Sequence, residues 1–412
     1  MKIHNRWFQL VASVIAMVMI ANLQYAWTLF VEPMRVGTGW KLSDIQAAFT
    51  LFILFQTWVQ PAQGFLIDRL GPRIFTTVAG VLCGVGWAGL GMVTTLPMLY
   101  TLYVLAGIGA ALVYGGCMGS ALKWFTKERG LAAGIIAAGF GGGTALFVPV
   151  IASLIKNQGY KTAFLYTGVF QGAMILLVAQ FLRHPPAQPA TAPKAAAAGA
   201  SRLGQHQFST TEMLQTPQFY VLYAMFLMMA TGGLLVTANA GSMAKAWGIP
   251  AGALALATSL NAIANGGSRV FWGWVSDKTG RELAMGIAFA LQAVCLLMVL
   301  TVGRLSGTLF AVTLVATFFT WGEVFSLFPS LVADYFGTKC STANYGVMYS
   351  AKGVASIIGG FVAAKLFESF GSWSACFYGS AALALVASVI AFSLRASRAP
   401  SAVAVGVPAT AK

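Results

Sequence analysis

The sequence predicts an all-α membrane protein of twelve transmembrane helices in two pseudo-symmetric six-helix halves, and three observations carry that expectation. Only 8% of the 412 residues are charged while 58% are hydrophobic, against roughly 25% charged in a soluble domain. Apolar runs of about 20 residues, enough for one bilayer crossing, recur along nearly the whole chain. They are continuous and do not alternate with polar residues, which excludes an outer-membrane barrel. Finally, a loop motif repeats: Gly64, Asp68 and Gly71 each precede Gly273, Asp277 and Gly280 by 209 residues, the mark of a parallel internal repeat.

The first element follows a basic stretch from Met1 to Arg6. Its apolar run exceeds 20 residues without a cleavage site, so it reads as a retained span and not as a signal peptide. The first-half spans are expected near 8–31, 45–67, 74–94, 97–121, 130–154 and 161–183, and the second-half spans near 217–240, 252–275, 283–303, 306–333, 344–367 and 372–395. Between the halves, 184–216 holds Pro185, Pro186, Pro189, Pro193 and an Ala run. It is too polar to insert and too poor in large apolar residues to fold, and reads as a flexible cytoplasmic linker. The expected organisation is therefore 1–183, linker 184–216, 217–395 and a disordered tail 396–412.

Charge sets the orientation. With the N-terminus inside, 16 Lys and Arg fall on the cytoplasmic side and 7 on the other, leaving only Arg269 and Lys352 within spans. The bias places both termini in the cytoplasm of a multi-pass inner-membrane protein. The net charge of +15 thus reports orientation, and no nucleic-acid partner is expected. Five cysteines, Cys83, Cys117, Cys295, Cys340 and Cys376, lie mostly in apolar stretches without ligand spacing, so neither disulfide nor metal is expected. Gly139 to Gly143 has no preceding strand and no following Lys-Ser/Thr, so it is no phosphate loop, and no cofactor is expected.

The repeated loops present acids and bases on tight glycine turns: Asp68, Arg69 and Arg73 after the second span, and Asp277, Lys278 and Arg281 after the eighth. An Asp there can cap a neighbouring helix and lock a closed cytoplasmic gate.

These paired G-x-x-x-D-[RK]-x-G-[PR] loops, with six plus six spans and a central linker, resemble the major facilitator superfamily. Within it, Asn22 to Leu29 (NLQYAWTL), Asn265 to Trp272 (NGGSRVFW), Thr320 to Ser330 (TWGEVFSLFPS) and Asn344 to Lys352 (NYGVMYSAK) are similar to the oxalate:formate antiporter family. The resemblance covers the whole chain.

Three charges lie inside spans, where each costs about 2.5–3.5 kcal/mol and usually marks function. Arg269 and Lys352 are each eight residues from the cytoplasmic end of their helix, about 12 Å deep, and Glu323 is about 16 Å deep. Two cations at one level repel unless an anion stands between them. Arg offers a planar fork for a carboxylate and Lys a mobile point charge. The resemblance implies that this pair binds substrate. It also implies no acid at position 323, so Glu323 is a departure, and three readings stay open: it pairs with Lys352 and is displaced or protonated by substrate, it carries a proton, or it faces another helix and supports structure.

Around the charges the resemblance places Gln24 and Tyr25 on the first span, Tyr114 on the fourth, Phe140 on the fifth, Trp321 and Phe325 on the tenth and Tyr349 on the eleventh, a dry aromatic box. Asn265 lies one turn from Arg269 and can hold the guanidinium or touch substrate. The expected activity is a secondary carrier that exchanges small carboxylates by alternating access, oxalate against formate, with a proton-coupled monocarboxylate carrier as the alternative. An unloaded carrier would bury unpaired positive charge, which favours obligatory exchange. A membrane enzyme lacks its acid/base set, since His4, His184 and His206 fall in the tail and linker. Lipid and small carboxylates are the expected partners, and the chain is expected to act as a monomer.

Overall fold

The computed structural model describes residues 5–63, 72–125, 129–183, 207–337 and 340–394. Asp68, Arg69, the linker up to residue 206 and the C-terminal tail lie outside the described residues. Every regular element among those described is helical, as continuous apolar sequence in lipid demands.

The first span is α1 (Arg6–Tyr25) and α2 (Trp27–Thr38), the second α3 (Leu42–Trp58), the third α4 (Pro72–Gly89) and the fourth α5 (Leu96–Trp124). The fifth is split into α6 (Arg129–Gly142) and α7 (Thr144–Gln158), and the sixth is α8 (Tyr160–Ala179). After the one-turn α9 (Thr210–Leu214) come α10 (Pro217–Ala246), α11 (Ala251–Thr279) and α12 (Arg281–Thr301). The tenth span is α13 (Gly307–Trp321) plus α14 (Val324–Phe336). The eleventh is α15 (Ser341–Ser356), a π-helical turn Ile357–Val362 and α16 (Ala363–Phe370), and the twelfth is α17 (Ser374–Leu394).

Local chemistry sets the ends. Asn5 accepts the Trp7 N–H at 2.9 Å to cap α1, and Thr216 with Pro217 behind it starts α10. Gly39 and Gly280, with φ of +73° and +94°, supply the left-handed residues that end α2 and α11. Residues 207–216, expected as flexible linker, instead hold a folded turn. Ser209 and Glu212 form a capping box, the Phe208 N–H bonds the Phe336 carbonyl at 2.9 Å, and Thr210 bonds Asn344 at 2.9 Å.

Among the described residues, eleven helices are long and apolar enough to cross a membrane. The exception is α11, which has 29 residues but carries Asn261, Asn265, Ser268, Arg269, Ser276, Asp277 and Lys278. Its Asn261, Asn265, Ser268, Arg269 and Ser276 are buried, while Ile263, Val270, Phe271 and Trp274 stay exposed on its outer side.

Helices α1 to α8 pack chiefly on one another, as do α10 to α17, and the two groups meet along three seams: α3 on α15, α11 on α6 and α7, and α10 on α2. Small residues permit the approach. A Cβ on Gly266 would lie 3.3 Å from the Gly142 nitrogen, and one on Gly353 would stand 2.5 Å from Thr57 Oγ1.

Polar bonds tie the groups at the end remote from the charged loops. Gln46 accepts from Trp27 Nε1 at 3.1 Å and donates to the Ala238 carbonyl at 2.7 Å. The Gly241 N–H bonds Thr28 Oγ1 at 2.5 Å, Lys245 pairs with Glu32 at 2.8 Å, and the Glu368 carboxylate takes the Ser43 N–H at 2.8 Å. Towards the other end, Trp58 Nε1 donates to the Ser350 carbonyl at 3.2 Å.

Candidate functional site

The residues expected at the site converge midway along the bundle because several spans break or bend there. Gln24 and Tyr25 precede the break at Ala26 between α1 and α2, and Trp321 precedes the break at Gly322 and Glu323 between α13 and α14. At the second break Trp272 Nε1 donates at 3.0 Å to the Phe319 carbonyl, the acceptor that residue 323 would use in an unbroken helix. The kink is thus satisfied by a neighbouring helix, as a break in lipid must be.

Arg269 is 3% exposed and Lys352 fully buried. The guanidinium reaches across the seam, its NH1 donating to the Ala137 carbonyl at 2.9 Å. Its NH2 makes only long bonds, 3.5 Å to Tyr25 OH and 3.4 Å to Asn265 Oδ1. Lys352 donates to Gln24 Oε1 at 2.9 Å, Gln56 Oε1 at 3.0 Å and Tyr349 OH at 3.2 Å. Three acceptors fill the three protons of an ammonium, and all three are neutral. The two cations share one wall, since the Phe325 ring centroid lies 4.8 Å from the Arg269 guanidinium carbon and 5.5 Å from Lys352 Nζ.

The remaining aromatics close the box around that wall. Tyr25 packs on Phe140 at 5.4 Å between ring centroids, Phe140 on Tyr114 at 5.6 Å, Tyr114 on Tyr349 at 5.9 Å, Tyr349 on Phe325 at 6.0 Å and Phe325 on Trp321 at 5.2 Å. Ten of the eleven substrate-binding candidates are therefore linked by contact: Gln24, Tyr25, Tyr114, Phe140, Asn265, Arg269, Trp321, Phe325, Tyr349 and Lys352. A narrow cavity of about 20 Å³, room for about one water, adjoins Tyr25 and is lined by Thr28, Thr237, Thr258 and Asn261 among others.

Hydrogen-bonding capacity left unfilled in this box consists of donors. Arg269 Nε, Gln24 Nε2, Asn265 Nδ2 and Trp321 Nε1 are all buried without an acceptor. Such groups cost free energy unless something accepts from them, and a carboxylate, which accepts through both oxygens and does not donate, suits donors that stand beside two cations. With no carboxylate among the described residues paired to Arg269 or Lys352, the protein contributes +2.

Glu323, the eleventh candidate, is not in this network. It is fully buried, and neither carboxylate oxygen has a hydrogen-bond partner. The expected pairing with Lys352 does not occur: the kinked tenth span turns residue 323 away from the face that carries Trp321 and Phe325, and Lys352 is satisfied by neutral oxygens instead. Conversely, Gln56 is a site residue the sequence reading missed. Its side chain is on the second span, which carries no charge beyond Asp44 in its first turn and no matching motif; the clue was a Gln within the apolar run Leu51 to Trp58.

Of the gate candidates, Asp68 and Arg69 lie outside the described residues, and the other four make local contacts. Arg73 donates through Nε and NH2 to Gln180 at 3.0 and 2.7 Å, Lys278 lies 4.0 Å from the Trp274 ring centroid, and Arg281 pairs with Asp277 at 2.7 Å and Asp334 at 3.5 Å. Arg281 also bonds Ser276. Asp277 does not cap α12, which starts on Gly280 without a side-chain cap; the i,i+4 spacing pairs it with Arg281. These bonds each stay within one group of helices.

The profile of the Major Facilitator Superfamily matches residues 12–240 and 220–408. The chain is 42% identical to the oxalate:formate antiporter of Oxalobacter formigenes over 95% of its own length and 90% of that protein. It is 24% identical to monocarboxylate transporter 12-B of Danio rerio, over 87% of this chain and 79% of that one. Among solved structures, a crystal structure of the nucleoside transporter NupG superposes with a TM-score of 0.71 over 95% of this chain and 100% of that chain, at 13% identity. That likeness speaks for the fold alone.

Proposed function

This chain belongs to the Major Facilitator Superfamily and, within it, to the oxalate:formate antiporter family, and on that premise we propose that it exchanges oxalate for formate across a membrane by alternating access. The observation that carries the reading is the set of four unfilled donors, on Gln24, Asn265, Arg269 and Trp321, beside two cations that meet no protein carboxylate. A small planar dianion answers both: one carboxylate takes the Arg269 fork, and the other draws Lys352 from one of its three neutral oxygens. The 42% identical antiporter supports the same substrate pair. The +2 of the protein weighs for a dicarboxylate on one stroke and against a carrier of monocarboxylates alone.

Transport follows from the seams. The helix groups 1–183 and 217–395 rock about the loaded box, and a loaded box is easier to enclose than one that buries two uncompensated charges, so exchange is favoured over uniport. The end that carries Arg73, Asp277 and Arg281 is cytoplasmic, by the positive-inside bias, and both chain termini lie there. One chain supplies every residue of the box, so the carrier works as a monomer in the inner membrane.

Counterflow in proteoliposomes tests this directly. Vesicles preloaded with oxalate should accumulate labelled oxalate or formate, and preloading with neither should abolish uptake. Accumulation that needs no internal carboxylate, or none with either anion, overturns the proposal.

A further inference from the structure

A fully buried carboxylate with two unpartnered oxygens at the break of a transmembrane helix is left unused by the carboxylate box. Among the described residues, no charged group on the helices packed against it pairs with it. On α11, Arg269 bonds Ala137, and Asp277 pairs with Arg281 while Lys278 lies on Trp274. On α12, Glu282 accepts from Tyr335 at 3.2 Å and Cys295 is a buried thiol. On α15, Lys352 is held by Gln24, Gln56 and Tyr349, and Tyr345, its ring tilted against Tyr349 at 5.6 Å, is neutral and leaves its buried hydroxyl without a partner. On α10, Lys245 pairs with Glu32, Tyr223 bonds Ser350 at 3.1 Å, and Tyr220 packs on Phe219. No ion pair to Glu323 exists among the described residues. An ionised carboxylate so placed would be a buried charge without compensation.

We propose that Glu323 is a proton-binding site whose occupancy tracks the charge of the cargo, so that oxalate plus one proton exchanges for formate. This rests on the carboxylate reading above. The charge arithmetic is direct. With oxalate aboard, the +2 of Arg269 and Lys352 is matched and Glu323 stays protonated. With formate aboard, one positive charge is left over, and loss of the Glu323 proton supplies the matching negative charge. Both loaded carriers then bury zero net charge, and the exchange of a dianion with a proton for a monoanion moves none across the membrane.

The fold provides the connections this needs. Glu323 is two residues from Trp321 and two from Phe325, the wall shared by both cations, on a break where one helix becomes two. Thr320, one turn before it, bonds Gln292 Oε1 at 2.5 Å, and Gln292 Nε2 is buried with no acceptor. That amide is a donor in the same layer for an ionised Glu323 to recruit when the break moves. Proton exchange with solvent takes place when either end of the carrier opens.

The test uses the full-length carrier in proteoliposomes under a potassium diffusion potential set with valinomycin, with a pH dye inside. Oxalate entry against internal formate should carry protons inward, one per turnover, and its rate should change less than twofold when the potential is reversed. In Glu323→Gln the proton signal should vanish and exchange should become potential-sensitive, while oxalate self-exchange continues, which shows that the variant is folded. Exchange of wild type that depends on potential and moves no proton overturns the proposal, as does a Glu323→Gln carrier identical to wild type in both readouts. Absence of any oxalate–formate exchange would instead sink the substrate reading beneath it.

Discussion

Lys352 on the eleventh span donates to Gln24 on the first at 2.9 Å, a charge-assisted bond that ties the two helix groups together inside the membrane. Such bonds contribute about 1.5–3 kcal/mol. Gln24→Leu should therefore weaken apparent oxalate affinity about 10- to 100-fold while leaving a folded carrier, as read by counterflow and by size-exclusion of the detergent-solubilised protein. Gln24→Glu should do worse, because a fixed carboxylate against Lys352 takes the place of the cargo's own. Oxalate affinity equal to wild type in Gln24→Glu would remove Lys352 from substrate binding.

Arg269 and Lys352 carry the same charge with different geometry, so conservative exchanges separate the two properties. Arg269→Lys keeps +1 but loses both the bond to the Ala137 carbonyl, 2.9 Å in the native chain, and the unfilled Nε donor. Truncating one side of a buried, hydrogen-bonded charge pair costs about 2–5 kcal/mol. Oxalate binding measured by calorimetry should fall at least about 30-fold, and the loss should be smaller for formate, which cannot use both ends of the site. Equal loss for the two anions would mean that the fork is not what reads the dicarboxylate.

A methyl group on Gly141 would stand 3.2 Å from the guanidinium carbon of Arg269, closer than most Cβ contacts and pressing on a side chain that has already been threaded across the seam. Gly141→Ala should therefore raise the KM for oxalate several-fold with little change in the amount of folded protein. Gly134→Ala, in open space on the same helix, is the control and should leave transport unchanged.

Much of this was legible in the residues themselves. Apolar run length gives the spans because a bilayer leaves the backbone no alternative to helix, and a charge that survives in such a run announces a partner, which is how Arg269 and Lys352 stand out. What sequence could not supply was helix rotation. Glu323 and Phe325 are two residues apart and, at about 100° per residue, point to different sides, and only the packed fold shows which of those sides carries the box. Gln56 was missed for a related reason: a neutral side chain on an apolar helix carries no signal until the ammonium that it holds is seen. A capping role and an i,i+4 ion pair look alike in sequence, and at Asp277 the structure holds the ion pair with Arg281.

The far end of the bundle is held by an ion pair that no loop motif announced. Glu32, with its side chain 13% exposed, accepts from Lys245 at 2.8 Å and from Arg35 at 3.2 Å, joining the first span to the seventh. Half-exposed pairs contribute only about 0–1 kcal/mol, so Glu32→Gln should shift the balance of open and closed far ends without abolishing exchange. A cysteine placed at Ala240, which lines the adjoining pocket and is 4% exposed, reports that balance. Its labelling by a membrane-impermeant maleimide should quicken about two- to five-fold in Glu32→Gln and in Lys245→Met. The charge-reversed pair Glu32→Lys with Lys245→Glu should return the rate toward that of the native pair, incompletely because Arg35 would then face a lysine. Raising ionic strength should narrow the difference between native and Glu32→Gln carriers, since screening acts on the native ion pair and not on its neutral replacement. If labelling in the single variants matches the native rate at every salt concentration, the pair does not hold the far end shut, and closure there rests on the buried bonds of Gln46 and Thr28.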